Sequence, residues 1–274
     1  MDYQLIAFDM DGTLLDSSKG ILPSTLDAIR EAAARDKVVA IATGRSPSLI
    51  ASYAERLPEV RYAICITGAG VYDFRERRFV TEKCLPQDLV PQILDAWEGE
   101  DAMSEVFSGT EIFQPAGYLD RLGDFNLANF RETFERAANF VPDVRAWALA
   151  HAGEIAKYNL HCRSTEMRER IRDRVVERGL DVEWAYTEWA SLELTARGVS
   201  KGSALEGLCR ALGIPVEASI AVGDSGNDLD MVRRAGLGVA MGNASPDVLE
   251  AADVVVADND HGGCAQAVRD YLLA

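Results

Sequence analysis

Two carboxylates, Asp9 and Asp11, stand two residues apart directly after the apolar run 5–8. Gly12 and Thr13 follow them, and this pair suits a tight turn that lets both carboxylates face one ligand. The same spacing also occurs in calcium loops and in ordinary turns, so by itself it leaves a structural role open. The apolar run before it favours a functional site, because solvated calcium loops do not usually emerge from a core strand.

A second group of acids, Asp224, Asp228 and Asp230, follows the apolar run 220–222 where a helix is predicted to begin. Capping and the helix dipole explain one such acid, but three are crowded together here. In one crevice with the acids of the first loop they would repel one another unless a cation is bound. An all-oxygen site with room for water and phosphate predicts Mg²⁺ in preference to zinc. Asp230 lies furthest along, and we expect its replacement to have little effect.

Two further segments could hold an anion. Thr43, Gly44 and Arg45 supply a hydroxyl and backbone N–H groups at a predicted strand end, although a plain turn can have the same residues. Lys201 stands at the start of a predicted helix, where the helix dipole disfavours a cation. Its position is better explained if its ammonium holds an anion or balances the carboxylates.

The elements that must position these residues are short apolar runs that end abruptly in polar residues or glycine. Such runs predict buried parallel strands, here at 5–8, 38–42, 62–66, 220–222, 237–241 and 254–257. Helical patterns are expected at 24–34, 48–57, 203–212 and 264–273. Strands that alternate with helices predict an α/β fold with a doubly wound, mostly parallel sheet. Ligands bind beyond the carboxyl ends of such strands, which is where Asp9, Thr43 and Asp224 fall.

The middle of the chain has a different pattern and predicts an inserted α+β domain. A hairpin, a strand, a charged helix and a strand pair are expected at 105–113, 157–162, 165–178 and 181–195. All four tryptophans lie in this segment, which indicates a core of its own. We therefore expect a catalytic domain of residues 1–83 and 192–274, with residues 84–191 as the insertion.

The composition describes a globular chain with a strongly acidic balance. The 274 residues carry 28 Lys and Arg against 44 Asp and Glu, a net charge of −16, which disfavours nucleic acid and anionic lipid as partners. The five cysteines are odd in number and widely spaced, so reduced thiols are expected. No targeting segment and no apolar run of roughly 18 residues is visible, which predicts a cytoplasmic protein without a membrane partner. The oligomeric state is left open.

The four chemical segments together resemble the haloacid dehalogenase superfamily, and specifically its Cof-type phosphatases. The shared segments, in order, are Asp-x-Asp-Gly-Thr at 9–13, Thr-Gly-Arg at 43–45, Val-Ser-Lys-Gly at 199–202 and Gly-Asp-x-x-Asn-Asp at 223–228. Residues 258–263 are similar to the loop that closes these proteins. An insertion after the third core strand is where this branch carries its C2-type cap. The resemblance therefore implies a Rossmann-like core with an inserted α+β cap.

This resemblance also implies roles for the chemical residues. Asp9 would be the nucleophile and Asp11 the general acid and base in Mg²⁺-dependent hydrolysis of a small phosphate monoester, such as a sugar phosphate, a nucleotide or a phosphorylated cofactor. An aspartyl-phosphate would form on Asp9. The metal would be bound by Asp9, the backbone carbonyl of Asp11, and Asp224, with Asp228 in support. The phosphoryl group would be held by Met10, Thr43, Gly44, Lys201 and Asn227.

Other functions use part of the same pattern. A phosphosugar mutase would need the same core. A phospho-switch is disfavoured by Asp11, because an acid/base beside the nucleophile speeds dephosphorylation. A non-enzymatic Mg²⁺-binding protein would leave Thr43 and Lys201 unexplained. The sequence departs from the family in one place, where the third strand ends in Thr67-Gly68 and the family often has Asn-Gly.

Overall fold

The computed structural model describes residues 2–187 and 189–274. Strands in these residues are β1 (Leu5–Asp9), β2 (Val38–Ala42), β3 (Tyr62–Cys65), β4 (Gly70–Asp73), β5 (Arg78–Glu82), β6 (Met103–Ser108), β7 (Glu111–Pro115), β8 (Ala138–Val141), β9 (Ile155–His161), β10 (Val182–Tyr186), β11 (Ser191–Ala196), β12 (Ser219–Gly223), β13 (Leu237–Ala240) and β14 (Val254–Val255).

The α-helices are α1 (Pro23–Ala33), α2 (Pro47–Ala54), α3 (Leu89–Ala96), α4 (Arg131–Ala137), α5 (Val144–Ala150), α6 (Thr165–Glu177), α7 (Lys201–Leu212), α8 (Leu229–Arg234), α9 (Pro246–Ala251) and α10 (Gly263–Ala267). Short 3-10 turns include Ile66–Gly68 and Gly226–Asp228. A π-helical turn, Val268–Leu272, continues α10 and completes the predicted last helix.

Eight strands form one sheet in the order β14-β13-β12-β1-β2-β3-β4-β5. The first six run parallel, because each consecutive pair in that order from β14 to β3 is parallel. β4 and β5 add an antiparallel hairpin that sequence analysis did not anticipate. β1, β3 and β12 are buried at every position, as expected of strands covered on both faces. The predicted doubly wound, mostly parallel α/β sheet is confirmed.

Successive side chains along each strand point to opposite faces of this sheet and pack against the helices that cover each face. One face carries Leu5 and Ala7 of β1, which share an apolar cluster with Leu205 and Leu208 of α7. The alternate residues of β1 point to the other face. There α1 packs against β2 and α10. Helices on both faces leave the strand ends as the place where polar side chains can converge.

The second sheet has six strands in the order β10-β11-β9-β6-β7-β8 and is antiparallel except for the β7–β8 pair. One face is apolar: Val106, Tyr158 and Leu192 lie in a cluster with residues of α3, α5 and α6. The predicted hairpin, strand, charged helix and strand pair correspond to β6–β7, β9, α6 and β10–β11. The segment therefore has its own core and is an α+β unit.

The chain divides into two compact units. The first comprises the described residues up to Arg45 together with Ala51–Glu82 and Ser200–Ala274, and the second comprises Ser46–Ile50 and Lys83–Val199. The second junction between the units lies after Val199, whereas sequence analysis expected it after residue 191. It lies later because β11 pairs with both β9 and β10 and so belongs to the second unit. Within the described residues, no helix is both long and apolar enough to cross a membrane.

Candidate active site

The candidate site lies in the first unit, beyond the carboxyl ends of its parallel strands. Asp9 is the last residue of β1 and pairs in register with Ala42, so Thr43 follows on the neighbouring strand. Asp224 follows Gly223, the last residue of β12, on the other side of β1. The apolar strands therefore bring three polar positions from distant parts of the chain to one edge, as sequence analysis predicted.

Lys201 lies at the centre of this edge. It is the first residue of α7, it is 1% exposed, and its Nζ lies 2.6 Å from Oδ1 of Asp9 and 2.6 Å from Oδ1 of Asp228. A third contact, at 3.3 Å, runs to Oδ1 of Asn227. Burial disfavours the charged ammonium, but Asp228 and Asp9 outweigh it and raise the pKa of Lys201. The lysine is therefore a buried cation that two carboxylates share.

Three buried or half-buried carboxylates crowd around this cation. One oxygen from each of Asp9, Asp224 and Asp228 lies within 4.8 Å of the others. Burial, and then the charge of Asp228, raise the pKa of Asp9. Burial likewise raises the pKa of Asp224 to about 6, although a hydrogen bond from Thr13 opposes that shift. Like charges at this spacing repel one another, so a further cation would stabilise the cluster.

The 3-10 turn Gly226–Asp228 organises the acidic side of the site. Asp228 is fully buried, and its Oδ2 accepts hydrogen bonds from the backbone N–H groups of Asp224 and Ser225 at 3.1 and 3.0 Å. Its Oδ1 is left to accept from Lys201. The Ser225 hydroxyl also donates to Asn227 Oδ1 at 2.9 Å. Asp228 therefore holds both the loop and the lysine in place, whereas Asp224 is only half-buried beside it.

Asp11 has different partners from Asp9. Its carboxylate accepts from Arg45 at 2.7 and 2.9 Å and from Lys19 at 2.8 Å. Burial works against its ionised form, but Arg45 and Lys19 outweigh burial and lower the pKa of Asp11. The two carboxylates of the first loop, which look alike in the sequence, are therefore in electrostatically opposite surroundings.

The remaining predicted residues line the same strand ends. Thr43 is 2% exposed, and its hydroxyl accepts a hydrogen bond from the backbone N–H of Arg45 at 3.3 Å. Gly44 lies between these two residues. Met10 is fully buried, and because its side chain has no hydrogen-bond donor, a hydrogen bond from it to phosphate would come from its backbone N–H. Of the predicted set, the structure joins Asp9, Asn227, Asp228 and Lys201 by direct contacts and places Asp224 in the same carboxylate cluster.

Three residues shape the site through side-chain contacts that the sequence did not predict. Thr13 donates to Asp224 Oδ1 at 2.7 Å, while Arg45 and Lys19 hold Asp11. Thr13 and Arg45 belong to segments that the sequence had already singled out, so their position in those segments was a usable signal. The sequence gives no such signal for Lys19, because its contact with Asp11 depends on how the loop after β1 folds.

Comparison with known proteins places this geometry in a family. The family model of haloacid dehalogenase-like hydrolases matches residues 6–268. The chain is similar to phosphatase YwpJ of Bacillus subtilis (strain 168), with 32% identity over 98% of this chain and all of that one. It is also similar to pyridoxal phosphate phosphatase YbhA of Escherichia coli (strain K12), with 27% identity over the full length of both chains.

A solved structure supports the same assignment. A haloacid dehalogenase-like hydrolase from B. subtilis superposes with a TM-score of 0.84 and 30% identity, covering 98% of this chain and all of that chain. Nearly full coverage in both directions means that the similarity includes both compact units.

Proposed function

We propose a mechanism for this chain, which belongs to the haloacid dehalogenase-like hydrolase family and is a phosphatase. It hydrolyses small phosphate monoesters, and the phosphoryl group is carried on Asp9 between the two steps. The observation that carries this proposal is the buried Lys201 ammonium, 2.6 Å from both Asp9 and Asp228. A lysine in that position favours the ionised, nucleophilic form of Asp9 against the burial that raises its pKa, and it can also attract a phosphoryl oxygen.

The carboxylate cluster fits Mg²⁺. Its donors are all oxygens, and Asp9, Asp224 and Asp228 offer more negative charge than the nearby lysine can balance. Asp9 and Asp224 would hold the ion with the backbone carbonyl of Asp11, and Asp228 would support them, since both its oxygens already accept hydrogen bonds. When bound, the ion would neutralise charge on the cluster and on the transferring phosphoryl group.

The chain's own residues then account for two displacements. Asp9 attacks phosphorus and the ester P–O bond breaks, while Asp11 gives its proton to the leaving alcohol. Asp11 next takes a proton from water, whose oxygen attacks phosphorus, and the bond to Asp9 breaks to release phosphate. Thr43, Gly44, Lys201, Asn227 and the backbone of Met10 would hold the phosphoryl oxygens.

The surroundings of Asp11 suit one of these steps better than the other. Arg45 and Lys19 hold it ionised, which is the form that accepts a proton from water. To act as an acid it must carry a proton, and both cations disfavour that protonated form. The proposed substrate class is a small phosphate monoester such as a sugar phosphate, nucleotide or phosphorylated cofactor. The relative named as a pyridoxal phosphate phosphatase supports the last of these. The cytoplasmic location stays a prediction.

A metabolite screen tests the proposal. The purified protein should release inorganic phosphate from small phosphate monoesters with Mg²⁺ and stop when the metal is chelated. Asp224→Asn should lose most activity, whereas Asp247→Asn, an equal change at an exposed acid in the first turn of α9, should not. Full activity after chelation would exclude the metal assignment. Transfer of phosphate within a sugar without release would favour the mutase.

A further inference from the structure

The first turn of α7, which carries Lys201, is held by hydrogen bonds to its N-cap residue. Ser200 is the N-cap residue, and its hydroxyl oxygen accepts from the backbone N–H of Ser203 at 2.9 Å. In return, the Ser203 hydroxyl oxygen accepts from the backbone N–H of Ser200 at 3.0 Å. This reciprocal capping box satisfies two backbone donors at the helix start. The Ser200 hydroxyl still has its own proton to donate.

That proton goes to Asp230. The Ser200 hydroxyl donates to Asp230 Oδ2, while Asp230 Oδ1 accepts from Nε of Arg234 at 2.7 Å. Asp230 lies two residues after Asp228, which holds the Lys201 ammonium. The segment 228–230 therefore contacts the start of α7 at two points: Asp228 binds the Lys201 ammonium, and Asp230 binds the hydroxyl of the preceding residue, Ser200.

Two glycines, Gly202 and Gly68, show how closely the first turn of α7 packs against the neighbouring backbone. A Cβ on Gly202 would lie 2.6 Å from the backbone oxygen of Asp230. On the other side, a Cβ on Gly68 would lie 2.1 Å from the backbone oxygen of Ser200, and Gly68 also has a left-handed φ of +98°. The turn can approach both neighbours only because no side chain stands between them.

We infer that Asp230 is a positioning residue, which through Ser200 sets the place of the Lys201 ammonium between Asp9 and Asp228. This inference rests on the proposed function, in which Lys201 serves the phosphoryl group. It differs from the expectation that Asp230 has little effect, because that expectation was based on distance along the chain. Asp230 takes no part in bond making. Its ion pair with Arg234 is partly exposed, and such pairs add little to stability.

Replacing Asp230 should therefore act on turnover more than on folding. Asp230→Ala should lower kcat by about 10–100-fold, the effect expected for a small misplacement of a catalytic group. The factor should be the same for an aryl and an alkyl phosphate, because Lys201 acts on the phosphoryl group common to both. Asp230→Asn keeps an oxygen that can accept from Ser200, and it should recover most of the activity.

A double-mutant cycle separates positioning from simple support. In a Lys201→Met background, Asp230→Ala should cause no further loss, since its effect passes through the lysine. Glu206→Gln is the matched control, because it removes the negative charge from the Arg234–Glu206 pair at the far end of the network and leaves the Ser200 contact intact. It should stay within about twofold of the parent. An undiminished effect of Asp230→Ala without Lys201 would overturn the inference.

A readout independent of activity keeps the test decisive if the Lys201→Met enzyme is too slow to measure. In protein labelled with ¹⁵N-lysine, the Lys201 ammonium signal can be assigned by its absence from Lys201→Arg. It should shift or vanish in Asp230→Ala and persist in Glu206→Gln. An unchanged signal and unchanged kcat in Asp230→Ala would reject positioning while leaving the proposed function intact. Wild-type turnover in Lys201→Met would instead contradict the proposed function.

Discussion

The two sheets of the molecule place their buried charges differently. In the eight-stranded sheet, Asp9, Lys201 and Asp228 gather beyond the strand ends. In the six-stranded sheet, charge lies along the strands themselves, where Lys157 of β9 donates to Glu193 of β11 at 2.6 Å and both residues are buried. Parallel strands covered on both faces have no face left for polar side chains, whereas antiparallel strands alternate between an apolar and a polar face.

This difference suggests that the two clusters of charge have different roles. The first cluster is Asp9, Asp224, Asp228 and Lys201, and the second is the buried polar face of the six-stranded sheet around Lys157 and Glu193. Around Lys201 the carboxylates outnumber the lysine, so the cluster needs a further cation to balance its charge. A site that binds a cation in this way can also bind an anionic phosphate ester. Lys157 faces Glu193 and lies 4.1 Å from the centre of the Phe107 ring, an arrangement that pairs opposite charges within the fold. Changes in the first cluster should therefore alter chemistry, and changes in the second should alter stability.

The largest effect is expected at the first cluster, and it should distinguish its two loop carboxylates. Asp9→Asn should abolish covalent phosphorylation and turnover. Asp11→Asn should keep the nucleophile but lose proton transfer, at a cost of about 10²–10⁴ in rate. With an activated ester the Asp11 variant should accumulate phosphate on Asp9, visible by intact-protein mass spectrometry and released by hydroxylamine. Equal trapping in the Asp9 variant would contradict this division of roles.

At the second cluster, breaking the buried pair should cost stability. Lys157→Met leaves the buried Glu193 carboxylate without this ammonium, a change worth about 3–5 kcal/mol in unfolding free energy. Urea unfolding followed by tryptophan fluorescence reports on this unit, because all four tryptophans fall within its residue ranges. Arg121→Met, which breaks an exposed pair with Asp101, should change little. A wild-type midpoint for Lys157→Met would refute the comparison.

A subtler change should weaken metal binding at the first cluster. Thr13→Val keeps the shape of the side chain but removes the hydroxyl that donates to Asp224. The Mg²⁺ concentration for half-maximal activity should rise about 10–100-fold, as for other residues that orient a metal ligand. Thr25→Val, at a buried threonine of α1, is the matched control. An equal rise in both variants would mean that general loosening, and not ligand orientation, is responsible.

The smallest effect concerns pH and the second cluster. Burial, with the charge of Lys157 second, lowers the pKa of His161 from 6.5 to about 3. Since the unfolded chain binds this proton and the folded chain does not, stability falls as pH drops from about 6.5 towards 3. The loss should be about 1 kcal/mol between pH 7 and 5.5. His161→Gln should remove that part of the dependence, and His261→Gln, at an exposed histidine, should not.

The sequence by itself determined the six parallel strands of the first sheet and the edge at which the candidate site residues gather. Apolar runs that stop at Asp9, Thr43 and Gly223 predicted parallel strands, and the carboxyl ends of such strands share one edge. The family motifs were local and contiguous, so they could be recognised without any tertiary contact. The α+β character of the insertion was likewise visible, because period-two and helical patterns are properties of short segments.

Only the tertiary structure decided which side chains meet. Lys201 contacts Asp9 across 192 positions of sequence, and Thr13 contacts Asp224 across 211. The pairing of Asp230 with Ser200 and the seating of Gly202 depend on how α7 and α8 pack. Local pattern specifies an element and its faces, but a contact between distant segments is set by strand order, register and close packing. Those quantities exist only once the chain has folded, which is why Asp230 looked remote in the sequence and lies beside the N-cap of the lysine helix.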